Sequence, residues 1–123
     1  MSRVLDLRLY GVYFDEIVKG TKKKEFREIT DYYVGRLIGG ISNMDKDQFD
    51  TFVAKVKDPL QREEAMKKVG AYIRFNSGHD GDYTHVRFRR GSTNTFAMYK
   101  IDDIEFGQRL FIISIGKRDD GKK

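Results

Sequence analysis

Leu5, Leu7 and Leu9 alternate with Asp6, Arg8 and Tyr10 near one end of this chain, and the same period of two returns from Ala71 to the other end. Strict alternation of apolar and polar residues is the mark of strands with one buried face. In the second stretch Tyr72, Arg74 and Asn76 alternate with Ile73 and Phe75, and His85, Arg87 and Arg89 alternate with Val86 and Phe88. Thr95 to Ile101 and Leu110 to Ile115 read as two more strands, with the acidic Asp102-Asp103-Ile104-Glu105 between them as a connection. A set of short, half-buried strands has to hide its edges. A small closed or partly open barrel is the arrangement that does so.

Helical spacing interrupts this pattern in three places. Tyr13, Phe14, Ile17 and Val18 form one apolar stripe, stopped by Gly20. Thr30 or Asp31 caps a short helix carrying Val34, Leu37 and Ile38, which Gly39-Gly40 ends. Residues 41–70 then read as a helical insert. Phe49, Phe52, Val53 and Val56 make one helix, and Asp58-Pro59 starts a second, with Asp58 as cap, Pro59 in the first turn and Gly70 as stop. The expected role of the insert is to cover an open edge of the sheet, the alternative being a lid or a partner-binding arm. The predicted organisation is a single α+β domain over 1–117 and a disordered tail over 118–123.

The chain has 123 residues and no cysteine, which excludes disulfides and cysteine-based metal or nucleophile sites. No apolar run approaches the roughly 20 residues of a membrane span, and no signal-peptide core is visible, so a soluble cytoplasmic protein is expected. Lys and Arg outnumber Asp and Glu by 24 to 19, a net charge of +5 that favours polyanionic partners.

The densest charge lies in Gly20-Thr21-Lys22-Lys23-Lys24-Glu25-Phe26-Arg27. On a strand from Lys23 to Ile29, Lys23, Glu25 and Arg27 share one face, and Lys22 at the strand entrance reaches the same place. The carboxylate stays ionised between cations, and the surplus positive charge is left to meet an anion. As chemistry, Glu25 suits a general base or an orienter of water or a ribose hydroxyl, Lys22 a stabiliser of developing negative charge, and Arg27 a phosphate clamp. A second candidate is the set Arg74, Arg87, Arg89 and Arg90 with Tyr72, Tyr99 and Tyr10 as stacking rings, because guanidinium groups and exposed rings suit the phosphates and splayed bases of single-stranded RNA. Phe75 and Phe88 fall on the opposite face and are expected in the core, and Tyr32 and Tyr33 are candidate walls of a pocket. His79, in the polar loop Ser77 to Asp82, reads first as part of a hairpin turn and otherwise as an acid, base or weak metal ligand beside Asp80 or Asp82. His85 reads as an edge side chain. No metal site or cofactor is expected.

The spacing Gly20, Lys22, Glu25 and Arg27, G-x-K-x-x-E-x-R, resembles the signature of the ASCH domain, a relative of the RNA-binding PUA fold. The Leu5 to Leu9 strand, the Phe14 to Val18 helix and the closing Leu110 to Gly116 strand follow the family's order, so the resemblance spans roughly two thirds of the chain outside residues 39–70. It implies a PUA-like barrel with flanking helices, RNA or a nucleotide or nucleoside as ligand, and a pocket in which Lys22 and Glu25 bind substrate or take part in catalysis. Relatives that remove an acetyl group from a modified cytidine have a threonine nucleophile where Glu25 stands here, and Thr21 lies before the lysine instead of three residues after it. That reaction is therefore not expected. Binding is the leading reading, with Lys22, Lys23, Arg27, Arg74, Arg87, Arg89 and Tyr72 as ligand contacts. The alternatives are a small RNA-processing or modified-nucleoside hydrolase using Lys22 and Glu25, and a transcription or translation coregulator that binds protein.

Overall fold

The structure, a computed structural model, describes residues 3–120. The chain runs β1 (Val4–Leu9), α1 (Gly11–Lys19), β2 (Lys24–Glu28), α2 (Asp31–Leu37), β3 (Ile38–Gly39), α3 (Lys46–Lys57), α4 (Pro59–Val69), β4 (Tyr72–Ile73), β5 (His85–Arg90), β6 (Phe96–Phe106) and β7 (Leu110–Arg118). Five strands form one curled sheet in the order β1-β5-β6-β7-β2, and β3 and β4 pair as a separate ribbon. The β1–β5 pair is parallel, and the other pairs are antiparallel. This is an α+β fold with a half-closed barrel whose free edges are β1 and β2.

The period-two pattern sets the faces. Leu5, Leu7, Leu9, Val86, Phe88, Tyr99, Phe111 and Ile113 all point to one buried side, where Phe14, Ile17, Val34 and Leu37 from α1 and α2 meet them. Phe88 and Phe111 are fully buried, and truncating either to alanine would cost about 3–5 kcal/mol in lost transfer energy and cavity. The insert belongs to the same core through Phe52, Val53, Val56 and Ala65.

Local signals place the helix ends. Gly20 closes α1 at φ 85°, a left-handed turn that glycine takes without strain. Thr30 caps α2 by accepting the Tyr33 N–H. Asp45 and Gln48 make a reciprocal capping box at α3, each side chain bonded to the other's backbone N–H at 2.9 Å. Asp58 accepts the Leu60 N–H, and the Gln61 amide donates to it.

The structure departs from the sequence reading at four places. β4 stops at Ile73, because the chain turns at the left-handed Asn76 and the Arg74 backbone bonds Leu37 and Tyr83 singly instead of joining a ladder. The acidic run 102–105 is not a connection. β6 passes straight through it, and irregular register between Tyr99 and Asp103 lets Asp102 and Asp103 both face solvent while Ile104 returns inside. The helix expected to run to Gly39 ends at Leu37, and Ile38 instead starts β3. Residues 118–120 of the expected tail are placed within the fold: Arg118 ends β7, Asp119 N–H donates to Met98 O, and the Asp120 carboxylate accepts the Met98 N–H. Residues 121–123 lie outside the described residues. No helix of the described residues is long and apolar enough to cross a membrane.

Candidate nucleic-acid interface at the barrel seam

Glu25 and Arg27 sit on the inner face of β2, opposite Ile113 and Phe111 of β7. Glu25 is the one buried charged residue among those described, at 6% exposure. Its Oε2 accepts from Arg27, with the two guanidinium nitrogens at 2.9 and 2.7 Å. The rest of the Arg27 fork is also committed: Nη1 donates to the Tyr33 hydroxyl at 2.8 Å, and Nη2 donates to the Arg8 carbonyl at 3.0 Å. That last bond crosses from one free edge of the sheet to the other. Arg27 therefore ties the seam shut and satisfies a carbonyl of an edge strand that has no neighbour there.

Lys22 completes the cluster from the turn before β2. Its ammonium lies 3.5 Å from Glu25 Oε1, 5.7 Å from the Tyr13 ring centre and 5.4 Å from that of Phe26. Lys22 takes the place beside the carboxylate that strand alternation assigns to Lys23, and Lys23 is exposed.

Two hollows flank the Arg27 bridge. A cleft of about 790 Å³ is lined by Tyr10, Tyr13, Glu25, Phe26, Glu28 and Tyr33, among others, and Lys22 contacts three of these, Tyr13, Glu25 and Phe26. A groove of about 430 Å³ on the other side has Arg8, Arg27, Arg36, Arg87 and Arg89 on its walls with Tyr32, Tyr33 and Phe96, and Asp6 as its one carboxylate. The strand register builds the groove: Asp6 stands opposite Arg87, and Arg8 opposite Arg89, on the polar face of the β1–β5 pair. Arg87 donates to Asp6 at 2.6 Å and lies over Phe96, and Arg36 donates to the Tyr32 hydroxyl at 2.8 Å. The Arg8 and Arg89 guanidinium groups form no ion pair among the described residues.

The five most exposed aromatic side chains, Tyr10, Tyr13, Phe26, Tyr32 and Phe96, all line one hollow or the other. A folded chain ordinarily hides large rings, so gathering the exposed ones at one seam calls for a reason.

The remaining sequence candidates lie elsewhere. Tyr72 is on β4, stacked on His79 at 3.9 Å and held so close over Gly39 that a Cβ there would sit 2.5 Å from its ring. Arg74 lies beside Gly81 and lines neither hollow, and Tyr99, expected as a stacking ring, is buried against Phe88 in the core. Arg90 makes two hydrogen bonds to Asp15 of α1, and the guanidinium holds that carboxyl below the usual carboxylate range. His85 bridges Thr84 and Asp119. On the insert, Leu60 is 94% exposed, and a groove of about 650 Å³ between α3 and α4 has Met44, Phe52, Ala65 and Val69 in its lining. The site residues that sequence reasoning passed over are Arg8, Arg36, Phe96, Phe26 and Tyr13, the last read as part of a buried helical stripe but 47% exposed. Arg8 is visible on the polar face of its strand, but its neighbours in the groove come from parallel pairing across about 80 residues of chain, which no local pattern reveals.

Comparison of the chain with protein-family models, with curated proteins and with solved structures finds no match in any of the three.

Proposed function

We propose that this chain binds single-stranded RNA across the barrel seam, as an ASCH-type domain with a PUA-like barrel. The observation that carries the reading is the pairing of unneutralised guanidinium groups with exposed rings at one place. Arg8 and Arg89, with Arg87 held beside them by Asp6, meet the phosphates, while Tyr10, Tyr13, Phe26 and Tyr32 offer faces on which splayed bases stack. Arg27 is not a phosphate clamp in this reading, because its donors are already used within the fold. It positions Glu25 and the seam, and Lys22 is the motif cation left in contact with the cleft lining.

A second reading has one observation in its favour. Glu25 Oε1 has the Lys22 ammonium as its only polar neighbour among the described residues, which leaves a carboxylate oxygen and an amine together beside an aromatic cleft. A hydrolase of RNA or of a modified nucleoside would use that pair as base and charge stabiliser.

Fluorescence anisotropy with a short oligoribonucleotide tests the first reading. Tyr13→Ala and Phe26→Ala should each weaken binding by about 1–3 kcal/mol if they stack on bases. Unchanged affinity in both variants would overturn the assignment of the cleft. Mass spectrometry of the same RNA and of modified nucleosides after incubation separates binding from turnover: products that vanish with Lys22→Ala would make the chain an enzyme.

A further inference from the structure

Away from the seam, two guanidinium groups converge with no counter-ion among the described residues. The Nη1 atoms of Arg3 and Arg74 lie 2.8 and 3.8 Å from the point where a Cβ on Gly81 would stand. Neither arginine forms an ion pair among the described residues. Arg74 Nε is buried without a hydrogen-bond partner. The adjoining loop does not supply the missing charge. Asp82 is turned to the N–H and hydroxyl of Ser77, and Asp80 is exposed and pairs with neither arginine.

Both arginines are held in place by their surroundings. The Arg3 carbonyl accepts from Thr84 and His85 at 2.9 and 3.2 Å, and its guanidinium lies 5.0 Å from the Tyr83 ring centre. Arg74 donates its N–H to Leu37 O and accepts from Tyr83 N–H, each at 2.8 Å. Gly81 has φ 90°, which disfavours any side chain, and a Cβ would intrude on the Arg3 guanidinium. Two like charges thus meet over a glycine whose missing side chain makes room for the Arg3 guanidinium, an arrangement that repels itself until an anion enters.

We propose that a phosphate group binds between Arg3 and Arg74 beside Gly81. Phosphate has enough acceptor oxygens to meet two planar forks from different directions, which a single carboxylate does less well. The proposal does not depend on the RNA reading of the seam. The phosphate belongs either to a nucleic-acid backbone or to a small phosphate compound, and the chemistry at the arginines is the same for both.

Amide NMR at low salt tests the site with two probes, inorganic phosphate and a short oligouridylate. Phosphate should shift the Gly78 to Asp82 amides in a saturable way. Arg3→Ala and Arg74→Ala should each weaken that binding by about tenfold or more, whereas Lys57→Ala, at the exposed end of α3, should leave it unchanged. Arg3 is exposed, so its variant keeps the fold and is decisive if Arg74→Ala disturbs the spectrum. Tighter saturation by the oligouridylate assigns the phosphate to a nucleic acid, and saturation by phosphate alone assigns it to a small compound. Shifts that never saturate with either probe, or that persist undiminished in Arg3→Ala, overturn the proposal.

Discussion

Glu25 is a carboxylate at 6% exposure, and a charge so placed is costly unless its partners stay with it. Arg27→Ala removes both hydrogen-bond donors from Oε2 and the bond to the β1 edge, so it should destabilise the protein by about 3–5 kcal/mol in urea unfolding. Lys22→Ala should cost under about 1 kcal/mol, since its contact with Glu25 is longer and partly wet. Equal losses for the two would refute this division of roles. The charge cluster itself is legible in the sequence, but the division is not. The partners that consume Arg27 are Tyr33, on a later helix, and the Arg8 carbonyl, on a strand 19 residues earlier. A second residue-scale expectation concerns acid. Burial pushes the Asp82 carboxyl up, but hydrogen bonds from the Ser77 hydroxyl and from the Ser77 and Gly78 N–H groups outweigh it and leave the group below the usual carboxylate range. A depressed pKa in the folded state contributes stability above the unfolded value of about 4 and loses it as pH falls through the folded value. Asp82→Asn should therefore flatten the pH dependence of stability below about pH 4; an unaltered acid limb would contradict this.

Among the elements, the helices were legible because their signals are local. Gly20, Thr30, Asp58 and Pro59 act within a few residues of where they stand, and the Asp45 to Gln48 spacing carries a capping box that the apolar stripe alone does not reveal. The strands were legible only where alternation is clean. In β6 the irregular register puts Asp102 and Asp103 side by side on the solvent face, which breaks period two and imitates a loop. The insert was read as a cover for an open edge of the sheet, but beyond the core contacts of Phe52, Val53, Val56 and Ala65 its polar attachment is at the β6–β7 turn, away from the free edges β1 and β2. Arg62 of α4 donates to the carbonyls of Val56, Gly107 and Gln108 at 2.7–2.9 Å and lies over the Phe106 ring. It fastens the helical pair to the β6–β7 turn. Arg62→Ala should cost about 2 kcal/mol, the value of charge-assisted bonds lost to water, and should speed hydrogen exchange in α4 and residues 107–109 more than in β5. Uniform exchange across the fold would show that the insert is not held there.

For the whole molecule, the half-closed barrel has one place where its edges meet, and charge, exposed rings and two hollows are gathered there. The sheet faces foretold the arginines Arg87 and Arg89, but the groove exists because parallel pairing sets Arg8 beside Arg89 and because α2 brings Arg36 and Tyr32 alongside. Neither follows from any window of sequence. The central claim is that this seam is a phosphate-binding surface for single-stranded RNA. The most direct measurement is the salt dependence of oligoribonucleotide binding by the wild-type chain and by Arg8→Ala/Arg89→Ala. A log–log slope of about −2 to −3 is expected for three or four neutralised phosphates, and a slope shallower by about 1–2 with weaker binding in the double variant. Absence of binding at low salt, or the same affinity and slope in both proteins, would contradict it.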